Sequence, residues 1–241
     1  MKRTHGFLLT AGLLLASAFT LSCSSDDKGD DTGGGINPSE LSKYKIYLVS
    51  WDENDERIKE EYNGNGDVFL IEYRYNEETY EETYDTLSKS EIRGGQLSLN
   101  LPTSVDSKYV DRSWRFCEGE YYEDESCEST VVANPANALF NSFNHSVVIP
   151  GKDDYCYIDP RLIKSGERIG RASFIYSLVP VKITGKYTFI NTHYDESEIE
   201  NFNLNLLQGW NLMYTIYGDN GERNVTNSLP AGITLEWWID C

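Results

Sequence analysis

Apolar residues that alternate with polar ones at a period of two are the feature that most restricts how this chain can fold. The pattern recurs in QLSLNLP (96–102), VKITGKYTF (181–189), FNLNL (202–206), WNLMYTIY (210–217) and ITLEWWI (233–239). Such alternation places apolar side chains on one face of a half-buried β-strand. Two earlier stretches, YKIYLVSW (44–51) and DVFLIEYRY (67–75), are apolar on both faces, as strands buried between two layers are.

Turns rich in glycine and asparagine separate these stretches, and no convincing amphipathic helical pattern is longer than about ten residues. We therefore predict an all-β fold, an antiparallel β-sandwich with negligible helix outside the N-terminal segment. The sandwich region would cover residues 41–241. The less regular stretch 103–166 leaves open whether this region is one sandwich or two small ones.

The first 22 residues have the layout of a secretory signal peptide. Lys2 and Arg3 precede a mostly apolar run from Phe7 to Leu21, which is too short to span a membrane comfortably. Residues 23–40 are rich in Ser, Asp and Gly and have no apolar period, which is typical of a flexible tether. We expect the folded part of the chain to follow this tether.

The sequence TLSC at 20–23 resembles the lipobox of bacterial lipoproteins, in which a small residue precedes the cysteine that receives a diacylglyceryl group. Ser22 and Cys23 match the two positions at the cut, and Leu21 lies closer to the cysteine than in the strict pattern, as in lipoproteins of the Bacteroidetes type. The stretch SSDDKGDD (24–31) is similar to their acidic export signal, and residues 181–214 are similar to C-terminal β-modules of their uncharacterised surface lipoproteins. The resemblance implies a lipidated Cys23 and an outer-membrane protein that faces the extracellular side.

If Cys23 carries lipid, the four remaining cysteines are even in number, and none lies in a C-x-x-C motif. In an exported chain this predicts two disulfides. Three pairings are open, and we favour Cys117 with Cys127, which closes a short acidic loop, and Cys156 with Cys241.

Charge and motifs exclude several classes of function. The formal net charge of −18 argues against nucleic acid as a partner, because nucleic acid is bound chiefly by Lys and Arg. The sequence contains no nucleotide-binding, zinc-protease or nucleophile-elbow motif, and its acidic clusters lack the spacing of a calcium loop. His145 and His193 are interpreted as ordinary loop residues. We therefore expect no catalytic residues, no metal site and no cofactor.

Aromatic residues are the remaining indication of function. Trp210 and Trp237 lie on the apolar faces of their predicted strands, whereas Trp238 lies on the opposite face and Trp114 falls in the irregular middle. Exposed aromatic side chains often mark binding surfaces, so Trp114 and Trp238 are the candidates for stacking on a ligand.

Together these features favour a non-catalytic binding or adhesion module for glycan or protein, anchored to the membrane by lipid. Two alternatives remain: a surface polysaccharide hydrolase, which would need two facing carboxylates, and a structural subunit of a surface assembly, which would need an open strand edge.

Overall fold

The computed structural model describes residues 38–51, 57–76, 81–114, 116–117, 125–152, 156–191, 196–218 and 221–241. The predicted signal peptide, Cys23 and the tether up to residue 37 lie outside the described residues. A short helix, α1 (Pro38–Leu41), comes first, and a 3₁₀ turn spans Ser107–Tyr109. The strands in the described residues are β1 (Ile46–Trp51), β2 (Arg57–Glu61), β3 (Gly66–Asn76), β4 (Glu81–Arg93), β5 (Gln96–Ser98), β6 (Arg112–Ser113), β7 (Glu125–Ser129), β8 (Val132–Asn134), β9 (Leu139–Val148), β10 (Cys156–Lys164), β11 (Glu167–Ser177), β12 (Val181–Asn191), β13 (Glu196–Leu206), β14 (Gly209–Tyr217), β15 (Glu222–Thr226) and β16 (Thr234–Asp240).

These strands form one hydrogen-bonded network, which confirms the predicted all-β fold. The main path runs β2-β1-β16-β10-β9-β11-β14-β15-β13-β12-β7, and a branch leaves β9 through β3 to β4 and β5. Neighbours are antiparallel except for the parallel pairs β1–β16 and β13–β15. The sheet folds over on itself, so that side chains from the β3–β4–β5 branch pack against those of the main path.

The larger core lies between these two layers. It contains apolar side chains of β1, β3, β4, β5, β9, β10, β11, β14 and β16, with the indole of Trp237 fully buried among them. The Nε1 of Trp237 donates a hydrogen bond to the carbonyl oxygen of Leu41, at 3.1 Å, which fixes α1 against the sheet. The alternation read from the sequence places the correct face inward, since Leu235, Trp237 and Ile239 all belong to this core.

A second core lies on the other face of the β11–β14 pair. Phe174 and Leu212 point into the first core, whereas Ile175 and Met213, one residue further along each strand, pack in the second. The other wall of the second core comes from β12, β13 and β15. Strands β11 and β14 therefore form a wall that is shared by two cores, although β11 remains exposed on one face at Arg171.

Both disulfides have the pairing that we favoured. Cys117 and Cys127 have Cα atoms 5.5 Å apart, and Cys156 and Cys241 have Cα atoms 4.4 Å apart. Cys156 opens β10 and Cys241 follows β16, so the second bridge joins two strands that are already neighbours. No helix among the described residues is long and apolar enough to cross a membrane.

Candidate functional site

A cavity of about 420 Å³ opens where three strands diverge. Strand β9 pairs with β11 through residues 140–143 and with β10 through residues 146–147. Between these ladders, Asn144 and His145 pair only with β3, on the opposite edge of β9. Strands β10 and β11 pair directly with each other from Arg161 and Arg171 onward. The opening enclosed by β9, β10 and β11 is called the fork cavity below.

The residues that line the fork cavity come from both faces of the sheet. Because side chains alternate along a strand, the charged and exposed ones form a rim on the outer face and the buried ones form a floor on the core side. The rim includes Asn144, Tyr157, Asp159, Arg161, Arg171, Ser173 and Asp240. The floor includes Phe143, His145, Ile158, Pro160, Ala172 and Phe174.

Ion pairs hold part of the rim in place. The Nε of Arg161 lies 2.8 Å from Oδ1 of Asp159, although the N–H is not aligned for a hydrogen bond. The Nη2 of Arg57, on β2, lies 3.3 Å from Oδ2 of Asp240. Burial raises the pKa of Asp159, and this effect is opposed by Arg161 and by two further arginines of β11. Asp159 therefore lies in a partly desolvated position surrounded by cations.

Arg171 differs from Arg161 in its partners. It is exposed and lies directly opposite Arg161 in the β10–β11 ladder. Among the described residues, no carboxylate lies within ion-pair distance of Arg171. Its guanidinium is available to a ligand at the rim.

His145 contributes a polar group to a largely apolar floor. The side chain is only 4% exposed and lies edge-on to Phe174, with ring centroids 4.6 Å apart. Its Nε2 is buried and has no hydrogen-bond partner among the described residues. Burial lowers the pKa of His145 to about 3, so the imidazole is neutral at physiological pH. The interpretation of His145 as a loop residue is wrong, because it lies inside β9; His193 lies outside the described residues.

Tyr157 joins the fork cavity to a second cavity. Its side chain is 57% exposed and lines both. The second cavity, of about 370 Å³, is lined by apolar and hydroxyl side chains of β3, β4, β9 and β10, including Phe69, Ile71 and Tyr84. The outer face of the sheet therefore has an aromatic surface that continues into the charged rim.

The structure does not place Trp114 on the surface. It is 3% exposed, stacks on Phe140 with ring centroids 3.8 Å apart, and meets the edge of Phe202. The expectation that it is exposed is wrong, because the irregular middle of the chain folds over the second core and Trp114 fills that core. It offers no free ring face to a ligand.

Trp238 is also buried, at 6% exposure. The alternation correctly places it on the face opposite Trp237, but side chains of β2 cover that face. The guanidinium of Arg57 lies 4.5 Å from the ring centroid of Trp238, and the indole Nε1 donates to Glu236 at 2.9 Å. The prediction of exposure fails because it assumes that an outward-facing ring remains uncovered.

The sequence pattern does not indicate that the residues of the fork cavity lie together. Tyr157, Asp159 and Arg161 lie within CYIDPRLIK, where Pro160 occupies a buried position of a regular alternation. Because proline cannot donate a backbone hydrogen bond, it is rare inside a fully paired strand and marks an interrupted ladder. That proline is the one local signal for the divergence of β9, β10 and β11.

Comparison with protein-family models, with curated proteins and with solved structures finds no significant match to this chain. Within the described part of the chain, no three His, Cys, Asp or Glu side chains are grouped so that they could hold a metal ion. The geometry of the fork cavity is therefore the main indication of function.

Proposed function

We propose that this chain is a lipid-anchored module of the bacterial cell surface that binds glycan and catalyses no reaction. The observation that carries the proposal is the exposed ring of Tyr157 beside a concave, charged cavity of about 420 Å³. Sugar rings present apolar C–H faces that pack on aromatic rings, and hydroxyl groups that bond to planar charged side chains. Both kinds of contact are available within one continuous surface.

The size and shape of the site favour glycan over protein as the ligand. A volume of this size lies within the usual range of small-molecule sites. A stable protein partner would need a much larger surface, of roughly 800 Å² on each side. The outer face around the fork cavity carries charged side chains and the exposed ring of Tyr157, which suits a chain of sugar units.

The surface location rests on the sequence. The lipobox-like TLSC, the acidic residues that follow it and the Gly-rich tether support anchoring through Cys23 in the outer membrane and display toward the extracellular side. A tether of this kind would hold the sandwich clear of the lipid head groups, where surface glycan is within reach.

Glycan binding is tested with the full chain carrying Cys23→Ala, which keeps the protein free of lipid. A glycan array identifies ligands, and titration calorimetry then compares Tyr157→Ala with Ile190→Ala, a change of an exposed apolar side chain on β12. We expect Tyr157→Ala to weaken binding about fivefold or more, since an aromatic contact contributes about 1 kcal/mol. Equal affinities for the two variants, or an array without ligands, would contradict the proposal.

A surface hydrolase is the second candidate, and one observation favours it. Asp240 lies opposite Tyr157 and therefore diagonal to Asp159 on the neighbouring strand, and both carboxylates line the fork cavity. Diagonal neighbours have Cβ atoms about 7–8 Å apart or less, which fits the spacing of glycosidase carboxylates. However, an arginine lies within ion-pair distance of each carboxylate, Arg57 beside Asp240 and Arg161 beside Asp159, so both groups already have a cationic partner. Release of reducing ends from an array ligand, abolished by Asp159→Asn, would establish hydrolysis instead.

A further inference from the structure

The rim of the fork cavity concentrates arginine side chains in a chain that is strongly negative. The formal net charge is −18, yet Arg57, Arg161, Arg168 and Arg171 lie at or beside this cavity. Asp159 and Asp240 line the cavity with them, Glu236 lies opposite Arg161 in the β10–β16 ladder, and Glu200 interacts with Arg171 at longer range. The cavity is therefore a place where guanidinium groups are clustered, with carboxylates beside them.

The positions of Arg161 and Arg171 are unfavourable for the fold alone. Residues directly opposite in an antiparallel pair have Cβ atoms about 4.5–5.5 Å apart, and like charges in such pairs destabilise a sheet. Asp159 forms an ion pair with Arg161, whereas Arg171 interacts with Asp159 and Glu200 only at longer range and forms no ion pair with any described residue. An anion between the two guanidinium groups would relieve this repulsion. Guanidinium groups bind carboxylate and sulfate oxygens through paired, charge-assisted hydrogen bonds.

The floor of the fork cavity adds a polar contact of a different kind. Buried polar atoms normally have a hydrogen-bond partner, but the Nε2 of His145 has none among the described residues. Around it, Phe174, Ile158 and Pro160 form an apolar surface. A ligand that enters with an anionic group at the rim and a hydroxyl group toward His145 would satisfy both positions. An acidic sugar unit carries both groups on one ring.

We infer that the fork cavity binds the anionic group of an acidic sugar, the carboxylate of a uronate or a sulfate ester, between Arg171 and Arg161. This inference rests on the proposed glycan-binding function and specifies its ligand. His145 bonds to a hydroxyl group of the same sugar, and Tyr157 packs on the next unit of the chain. At an ionic strength of 0.15 M the Debye length is about 8 Å, so the distant negative charges of the protein are largely screened from a ligand in the cavity.

The test measures binding of oligogalacturonate, its methyl ester, a neutral oligogalactan and a sulfated oligogalactan to the full chain with Cys23→Ala at 0.15 M salt. Arg171→Gln removes the charge at the rim, Arg171→Lys keeps the charge without the guanidinium fork, and Arg112→Gln removes the same charge from an exposed position on β6. Thermal unfolding of each variant verifies that it is folded.

We expect oligogalacturonate to bind at least tenfold more tightly than the methyl ester and the neutral oligogalactan. Arg171→Gln should weaken this binding about tenfold, since it removes charge-assisted hydrogen bonds, and Arg171→Lys should weaken it less, since it keeps the charge. Arg112→Gln should leave it unchanged. Preference for the sulfated oligogalactan with the same dependence on Arg171 supports the inference with sulfate as the anionic group.

Two results would overturn the inference in different ways. Equal affinity for the neutral and acidic ligands, without an effect of Arg171→Gln, would leave the glycan-binding function in place and remove its anionic specificity. Absence of binding to all four ligands and to the glycan array would remove the proposed function as well.

Discussion

The imidazole of His145 is surrounded by aromatic rings rather than by water. Phe174 lies edge-on to it, and Trp237 lies further away at 6.2 Å between ring centroids. Burial of this kind disfavours the charged form, which is why its pKa falls to about 3. His145 therefore contributes no positive charge to the fork cavity at neutral pH, and its role there is to donate or accept a hydrogen bond.

The lowered pKa of His145 makes stability depend on pH in a defined direction. Between about pH 6.5 and pH 3 the unfolded chain binds a proton at this histidine and the folded chain does not, so stability falls as the pH is lowered. The loss reaches up to about 1.4 kcal/mol per pH unit within that window. We expect His145→Phe to remove this part of the pH dependence, measured by urea unfolding at pH 7, 5.5 and 4.5.

The comparison with His145→Phe is needed because other groups titrate in the opposite sense. Burial raises the pKa values of Asp159 and Glu200, and these groups make the folded state less stable as the pH rises through their titration. The difference between the wild type and the variant isolates the histidine. Unfolding free energies that change in parallel with pH for both proteins would show that His145 is not the group responsible.

At the scale of secondary-structure elements, the local sequence pattern predicts the strands, whereas pairing between strands that are distant in sequence determines where the fork cavity forms. Period-two alternation identifies the strands β12, β13, β14 and β16 and their buried faces. It can do so because the apolar residues at every second position are themselves the residues that are buried. The change of partner along β9 is not encoded in this way, since it depends on strands that are distant in sequence. The fork cavity follows from that change, so its residues could not be grouped from the sequence.

The edge strand β2 is relevant to the alternative that this chain is a structural subunit of a surface assembly, which would need a strand edge open to pairing. It ends the main path of the sheet and carries Arg57, Lys59, Glu60 and Glu61. Charged side chains on an edge strand oppose pairing with a second chain. This edge therefore gives no support to the structural-subunit alternative.

The two disulfides should differ in how much they stabilise the fold. Cys156 and Cys241 are 85 positions apart, whereas Cys117 and Cys127 are 10 apart. A cross-link that closes a longer loop restricts the unfolded chain more, giving roughly 4.5 kcal/mol for the first bridge and roughly 2.7 for the second. We expect the pair Cys156→Ser and Cys241→Ser to lower the urea midpoint more than Cys117→Ser and Cys127→Ser. The reverse order would show that loop length does not govern their contributions.

At the scale of the whole molecule, the sequence predicts a location as well as a fold. The lipidation of Cys23, the outward display and a domain boundary within 103–166 stay predictions. We expect Cys23→Ala to move the protein from the membrane fraction to the soluble fraction, because a diacylated cysteine supplies the acyl chains that stable anchoring requires. Immunoblots of fractionated cells measure this, with Ser25→Ala as the matched control. A variant at Cys23 that still sediments with membranes would contradict the lipobox interpretation.

The position of β16 in the sheet also determines when the sheet can form all of its strand pairs during synthesis. It lies between β1 and β10, and its partners in β1 are about 190 positions earlier in the chain. A chain emerges from the ribosome N-terminus first, so β1 and β2 are made about 190 residues before the strand that joins them to the rest of the sheet. If the N-terminal segment directs export as proposed, the late synthesis of β16 favours a precursor whose sheet is incomplete when it reaches the secretion channel. The sheet then closes in the compartment where Cys156 and Cys241 are oxidised.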